Sequence, residues 1–245
     1  NFLLSALVTA CAGVALLMRS NGATELKKRY LFLLTTLCWL SVCAFAALPL
    51  YLSLPQLSIT DAWFEAVSAI TTTGSTVLSG LDTMPKAVLL WRAILQWIGG
   101  IGIIVMAIAI LPALKIGGMK LFKTESSDIS EKILPRSSHL SGSILLVYLA
   151  ISAGATLSYY IGGMSWFDAL THAMTSAATG GFANYDASFG YFNDKPWLLW
   201  LSSVWMALAA LPFVLFVGMA RGDKWALLRD PQVKAFIAIV LVAAI

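Results

Sequence analysis

Ile70-Thr71-Thr72-Thr73-Gly74-Ser75-Thr76-Val77 is a polar stretch, broken by a glycine, in a chain built almost wholly of membrane-length apolar runs. Hydroxyl side chains crowd that glycine, and a short Ala-rich apolar segment leads into them. Such a stretch cannot cross hydrocarbon unaided, because its non-helical N–H and C=O groups would find no partners there. Irregular backbone persists at membrane depth only where protein buries it or where it lines a water-filled cavity. The stretch is therefore expected to line a path for ions.

The surroundings set the solvent. Of the 245 residues, 59% are hydrophobic and only 11% are charged, and the mean hydropathy is +0.84. A soluble chain carries roughly a quarter charged residues. The composition implies an all-α, multi-pass integral membrane protein, with lipid as its first partner and no nucleic-acid partner. Cys11, Cys38 and Cys43 lie inside apolar runs without ligand spacing and are expected to be small buried hydrophobes. The chain opens without a Met, partway through an apolar helix at residues 2–18, and stops inside the apolar run 235–245. The natural protein is expected to be longer.

Apolar stretches long enough for the roughly 20-residue crossing cover residues 30–54, 87–114, 140–161 and 197–220. The charges between them are one-sided. Arg19, Lys27, Lys28 and Arg29 lie in the first loop, and Lys115, Lys120, Lys123, Lys132 and Arg136 in the third. Arg221, Lys224, Arg229 and Lys234 lie in the last. The connections 53–85 and 162–196 instead hold Asp61, Glu65, Asp82, Asp168, Asp186 and Asp194 against Lys195 alone. By the positive-inside rule the basic loops are cytoplasmic and the acidic ones external.

That sidedness decides the short segments. Two basic loops on one side require an even number of crossings between them, and the long runs already supply it. The segment 63–72 must therefore dip in from outside and return. A helix from about residue 61 to residue 72 reaches only about 18 Å at 1.5 Å per residue, roughly halfway through the hydrocarbon. Ser58 or Thr60 is the expected N-cap, with Asp61 and Glu65 placed to suit the positive end of the helix. A pore helix followed by a loop is the resulting description.

The same parts occur twice. Asp61-Ala62, Ala66 and Thr73-Gly74 answer to Asp168-Ala169, Ala173 and Thr179-Gly180, and Ser165 with Asp168 gives a second S-x-x-D helix start. Lys86 to Trp91 answers to Lys195 to Trp200, so the offset is read as drifting from 107 to 106 and then to 109. The expected organisation is the end of an upstream transmembrane helix (1–18), a cytoplasmic loop (19–29) and a first pore repeat (30–112). A cytoplasmic connector (113–136), a second pore repeat (137–220), and a cytoplasmic loop with the start of a third repeat (221–245) follow. The fold class is thus tandem parallel repeats of outer helix, re-entrant pore helix, filter loop and inner helix, a potassium-channel-like architecture. The shared direction of the repeats argues against inverted-repeat transporters. Two units do not enclose a pore, because an ion needs carbonyls on all sides.

Three segments carry a family resemblance. They are Thr72-Thr73-Gly74, the run Trp91-Arg92-Ala93-Ile94-Leu95-Gln96-Trp97-Ile98-Gly99-Gly100-Ile101-Gly102, and the loop Gly117-Gly118-Met119-Lys120-Leu121-Phe122-Lys123-Thr124-Glu125. Together with Ala178-Thr179-Gly180-Gly181-Phe182-Ala183 they resemble the Trk-type bacterial potassium-uptake subunits of the Trk/Ktr/HKT superfamily. The resemblance implies four helix–pore-helix–helix units around one pseudo-fourfold pore. It also implies a homodimer, a cytosolic nucleotide-binding regulatory ring, residence in the bacterial cytoplasmic (inner) membrane, and no enzymatic activity.

The implied chemistry is dehydration and coordination of K+, with no covalently bound cofactor. The expected potassium-binding residues are Thr72, Thr73, Gly74, Ser75, Ala178, Thr179, Gly180 and Gly181. Carbonyls of Thr72, Thr73, Ser75, Ala178, Thr179 and Gly181 would replace water around the ion, with Gly74 and Gly180 supplying backbone angles that a Cβ disfavours. The pore-helix C-termini near Thr71 and Ala177 aim their negative ends at the cation, and the six external acids would enrich cations at the mouth. A passive leak and sodium- or proton-coupled symport both fit these residues. The competing readings are a membrane assembly subunit and a channel for a different small cation. Gly99-Gly100-Ile101-Gly102 lacks the strand context of a nucleotide loop and is expected to serve close helix packing. His172 is expected to be a buried hydrogen-bonding residue, and His139 to lie at the cytoplasmic edge. Arg92, about one turn inside an apolar run, is expected to pair with Glu65 or Asp82, or else to snorkel.

Overall fold

The computed structural model describes residues 1–19, 28–114 and 137–243. Helix α1 (Phe2–Met18) lies against α2 (Lys28–Ser53), the outer helix of the first unit. Then come the short α3 (Ile59–Ile70), an extended loop with one 3-10 turn at Leu81–Thr83, and the 29-residue inner helix α4 (Lys86–Leu114). The order repeats in α5 (Ser137–Ile161), the short α6 (Trp166–Ala177), a loop with a 3-10 turn at Ser188–Phe192, and α7 (Pro196–Ala209). After α7 come α8 (Phe213–Ala220), α9 (Ala226–Arg229) and α10 (Pro231–Ala243). The connector 115–136, with the motif from Gly117 to Glu125, lies outside the described residues, as do residues 20–27 and the side chain of His139.

Among the described residues Leu33–Ser53 and Gly142–Ile161 are long and apolar enough to cross a membrane. Helix α4 is longer still, about 43 Å at 1.5 Å per residue. The run 197–220, which reads as one span, is two helices bent by 86°. Pro212 is the cause. It has no N–H to donate, and its ring disfavours a helical Leu211. Helix α7 therefore ends at Ala209, and α8 restarts with the Pro212 carbonyl accepting from Leu215 N at 3.0 Å.

In lipid, helices associate through close packing and internal hydrogen bonds, and the cores show how the sequence arranges this. The first unit packs Cys43, Ala46, Ala47 and Leu50 of α2 around Ala62, Ala66, Ala69 and Ile70 of α3, with Val88 and Leu95 of α4 on the other side. Alanines on α3 let outer and inner helices approach a short helix from both sides. In the second unit Ala155 and Tyr159 of α5 close on Ala169 and Ala173 of α6. Of the cysteines, Cys43 is buried in this way, whereas Cys11 and Cys38 are exposed, not buried as the apolar runs suggest.

The two adjacent glycines of α4 lock the units together. A Cβ on Gly99 would overlap the Ile70 carbonyl at the end of α3. One on Gly100 would stand 2.8 Å from Tyr148 Oη and 2.9 Å from Ala178 Cα at the end of α6. The first inner helix thus touches the inward ends of both short helices. Tyr148 seals this contact by donating to the Trp97 carbonyl at 2.8 Å and stacking on the Trp97 ring. Gly99→Ala is expected to lower the stability of the purified full-length protein in detergent by about 1–3 kcal/mol, as overpacking does. Gly142→Ala, with nothing among the described residues within 4 Å of the added methyl, is expected not to lower the thermal unfolding temperature.

Candidate functional site

Both short helices begin and end with the same devices. Ser58 caps α3, accepting from Asp61 N at 3.1 Å and donating to the Asp61 carboxylate at 2.7 Å. Ser165 caps α6, accepting from Asp168 N at 3.1 Å and donating to Asp168 at 2.6 Å. Thr60 takes no part in the cap, and Glu65 lies beyond the first turn, fully buried. At the inward ends Thr72 N bonds the Ala69 carbonyl at 3.0 Å and Thr73 N bonds Ser68 O at 2.9 Å. In the second unit Thr179 N bonds Ser176 O and Gly180 N bonds Thr175 O, each at 3.0 Å. This pair of bonds is the Schellman ending, whose left-handed position usually belongs to glycine. Here it belongs to threonine twice, with φ of 56° at Thr72 and 54° at Thr179. A side chain with a branched Cβ held at that angle costs on the order of 1–3 kcal/mol, and such strain clusters at functional sites.

The loops that follow run in step. Gly74 (φ 79°) corresponds to Gly181 (φ 78°). Ser68 Oγ donates to the Ser75 carbonyl, and Thr175 Oγ1 donates to the Phe182 carbonyl at 2.8 Å. A hydroxyl two residues before each helix end therefore holds its loop in place. These equivalences correct the register inferred from Thr-Gly pairs. Thr73 matches Gly180 and Gly74 matches Gly181, with no slip between cap and loop, because helix length and ending are the same in both units. The glycine needing left-handed freedom in the second loop is therefore Gly181. Gly180 is needed for space instead, since a Cβ there would overlap the Gln96 side chain.

The two loops touch. A Cβ on Gly74 would overlap the Gly180 carbonyl oxygen, so the Gly74 position has neither room nor a favourable φ for a side chain. Thr73, Ser75 and Thr179 are exposed, Thr72, Gly74, Gly180 and Gly181 are half-buried, and Ala178 is buried. The structure thus places the eight expected residues on two adjoining loops at the ends of converging helices.

Behind the loops stands Arg92 of α4, 1% exposed, with Nε 2.7 Å from Glu65 Oε1, itself 0% exposed. Of the partners weighed for Arg92, the structure selects Glu65. The guanidinium also donates to the Ala183 carbonyl at 3.1 Å and to Thr76 Oγ1 at 3.2 Å, and its Cζ lies 4.2 Å from the Phe182 ring centroid. The Glu65 carboxylate accepts from Thr76 Oγ1 at 2.9 and 3.0 Å and from Val77 N at 3.2 Å. One turn along α4, Gln96 Oε1 accepts from Phe182 N at 3.0 Å. Arg92 stands out in the sequence as a charge in an apolar run, whereas Gln96 and Thr76 carry no assigned role there; the one legible signal for Gln96 is that it lies four residues from Arg92, hence on one helix face.

At the outer rim Asp186 accepts from Gly80 N at 2.9 Å and Leu81 N at 3.1 Å, while its own N–H donates to Asp82 at 3.2 Å. Two acids expected to face the mouth do not. Glu65 is spent on Arg92. Asp168 is buried and accepts from Ser165, Asn184 (2.8 Å) and Tyr185 (3.0 Å). Burial pushes the Asp168 carboxyl up, but these donors outweigh it and hold the group below its ordinary range. Burial and the neighbouring Asp168 push the Tyr185 hydroxyl well up, so it stays a donor. His172 is fully buried, its Nδ1 2.8 Å from the Asp168 carbonyl, among the rings of Phe189, Phe192 and Tyr185.

This pair of helix–loop units has known relatives. The family described as TrkH, cation transport protein, matches residues 1–240. The chain belongs to that family. Among its relatives, the Trk system potassium uptake protein TrkI of Halomonas elongata is 52% identical over 236 residues, covering 96% of this chain and 48% of that protein. The Trk system potassium uptake protein TrkH of Vibrio parahaemolyticus is 40% identical over 224 residues, 88% of this chain and 45% of the other. The crystal structure of the potassium transporter TrkH from Vibrio parahaemolyticus superposes with a TM-score of 0.84 at 35% identity, over 98% of this chain and 49% of that one. The chain spans about half the length of the relatives it matches. Its architecture is that of the family: an all-α integral membrane protein with tandem units of outer helix, re-entrant helix, loop and inner helix.

Gly74 and Gly181 share a left-handed φ but differ in space, which separates two costs. Gly181→Ala adds backbone strain, on the order of 1–2 kcal/mol, and nothing among the described residues lies within 4 Å of the new methyl. Gly74→Ala adds the same strain plus a collision with the neighbouring loop. Thermal unfolding of the two variants should rank Gly74→Ala clearly below Gly181→Ala.

Proposed function

We propose that this chain contributes half of a pseudo-fourfold potassium-uptake pore. Thr72, Thr73, Gly74 and Ser75 form one quarter of its selectivity filter, and Ala178, Thr179, Gly180 and Gly181 form the next. The observation that carries this reading is the contact of two identically built loops at Gly74 and Gly180, in a chain whose relatives are named potassium uptake proteins.

The physics is that of exchange of ligands. A bare cation in the hydrocarbon is prohibitive, so carbonyl oxygens must stand where water stood. In this reading the left-handed angles at Thr72, Gly74, Thr179 and Gly181 turn successive carbonyls toward one axis. The C-terminal ends of α3 and α6, at Ile70 and Ala177, add their negative dipole ends beneath the ion. K+ is the transported ion, moved without bond making. In the complete protein, α10 (Pro231–Ala243) would open a third unit, and further units would close the ring. The resemblance extends the proposal to a homodimer in the bacterial inner membrane, regulated by a cytosolic nucleotide-binding ring.

Rubidium or potassium uptake by cells lacking their own uptake systems tests this, using the full-length protein. Gly74→Asp is expected to abolish uptake at unchanged membrane abundance, and normal uptake by that variant would sink the filter assignment. Gly74→Ser is expected to loosen discrimination against sodium. Unchanged sodium exclusion there would count against carbonyl geometry as the selector.

A further inference from the structure

Arg92 is a paradox for a cation pore. An unpaired guanidinium beside the path repels what the path must pass, yet Arg92 lines the same cavity of about 60 Å³ as Gly74 and Gly181. It also bonds both loops at once, through Thr76 Oγ1 in the first and the Ala183 carbonyl in the second. Gln96 makes a second rung below it, its Oε1 fixing Phe182 N while its amide group and Cγ fill the space against Gly180. Both rungs come from one face of α4, whose Gly99 and Gly100 are already clamped to the ends of α3 and α6. The position of the second loop relative to the first is therefore referred to one rigid helix. Nothing equivalent is needed for stability alone, since a buried ion pair rarely outperforms an apolar replacement of the same size.

Resting on the filter reading above, we propose that Arg92 and Gln96 are positioning residues that set the spacing between the two loops and hence cation selectivity. Glu65 cancels the Arg92 charge so that this strut does not oppose the permeating ion. Arginine suits the role because its planar fork reaches Glu65, Thr76 and Ala183 together, which a lysine ammonium cannot do.

The test uses the full-length protein in cells lacking their own potassium uptake, with membrane abundance measured for every variant. Rubidium uptake and its inhibition by sodium are the readouts. Arg92→Lys preserves the pair with Glu65 but loses the fork, and sodium should compete about tenfold better, the factor for one hydrogen bond to a charged group. Wild-type sodium discrimination at normal abundance would overturn the positioning role. If Arg92→Lys does not reach the membrane, Gln96→Leu decides by the same readout, because it keeps a side chain of similar volume against Gly180 and loses the bond to Phe182. Glu65→Gln leaves Arg92 uncancelled, and uptake should fall about tenfold or more, the penalty of an uncompensated buried charge. The double variant Glu65→Gln with Arg92→Gln should recover much of that rate while remaining unselective. A double variant as slow as Glu65→Gln alone would overturn the charge-cancelling role. Gly74→Asp runs alongside as the control: if it transports normally the filter reading itself fails, whatever the Arg92 variants do.

Discussion

A chain that leaves its helix inside the membrane must find a partner for every N–H and C=O it frees. Most of this structure can be understood as the answer to that demand, given twice. Each short helix is capped at its start by a serine and closed at its end by two backbone bonds. Each then has its loop held in place by a hydroxyl, Ser68 or Thr175, from its own last turn. Since α3 and α6 are too short to cross, the outer and inner helices must bury them, and the alanines along both make that approach possible.

The two units solve one position differently. Glu65, buried on α3, occupies the place that His172 occupies on α6, at the same distance from cap and loop. Glu65 bonds the loop of its own unit and brings in Arg92, which bonds the loop of the other. His172 meets an aromatic cluster instead, and Asn184 and Tyr185 anchor the second loop to Asp168. The first inner helix is thereby the shared support of both loops, while the second bends away by 86° after Ala209. Unlike side chains at matched positions let a tandem chain join two neighbours asymmetrically, which identical subunits of a ring cannot do.

Much of this is legible in the sequence. Charge sidedness and the count of long apolar runs make residues 63–72 re-entrant, and the serine-to-aspartate spacing marks both helix starts. Length and hydropathy place the outer helices. The register of the loops is not legible from the Thr-Gly pairs, because Gly74 can be set against either Gly180 or Gly181, and the hydrogen bonds at Ser68 and Thr175 choose the second. Threonine in a left-handed position gives no sequence signal, since propensity argues for glycine there. The break at Pro212 hides in an unbroken apolar run, and the networks of Asp168 and Glu65 hide in acids that otherwise resemble a solvated rim. Partner choice for a buried charge depends on which elements meet, and sequence spacing does not carry that.

The most direct measurement is where a cation sits. Crystals of the full-length protein grown in rubidium would show it by anomalous scattering. A peak on the axis flanked by the carbonyls of the Thr72–Ser75 and Ala178–Gly181 segments is expected, weakened in Gly74→Ser. Rubidium bound elsewhere in the membrane region, with none against these two loops, would contradict the filter assignment.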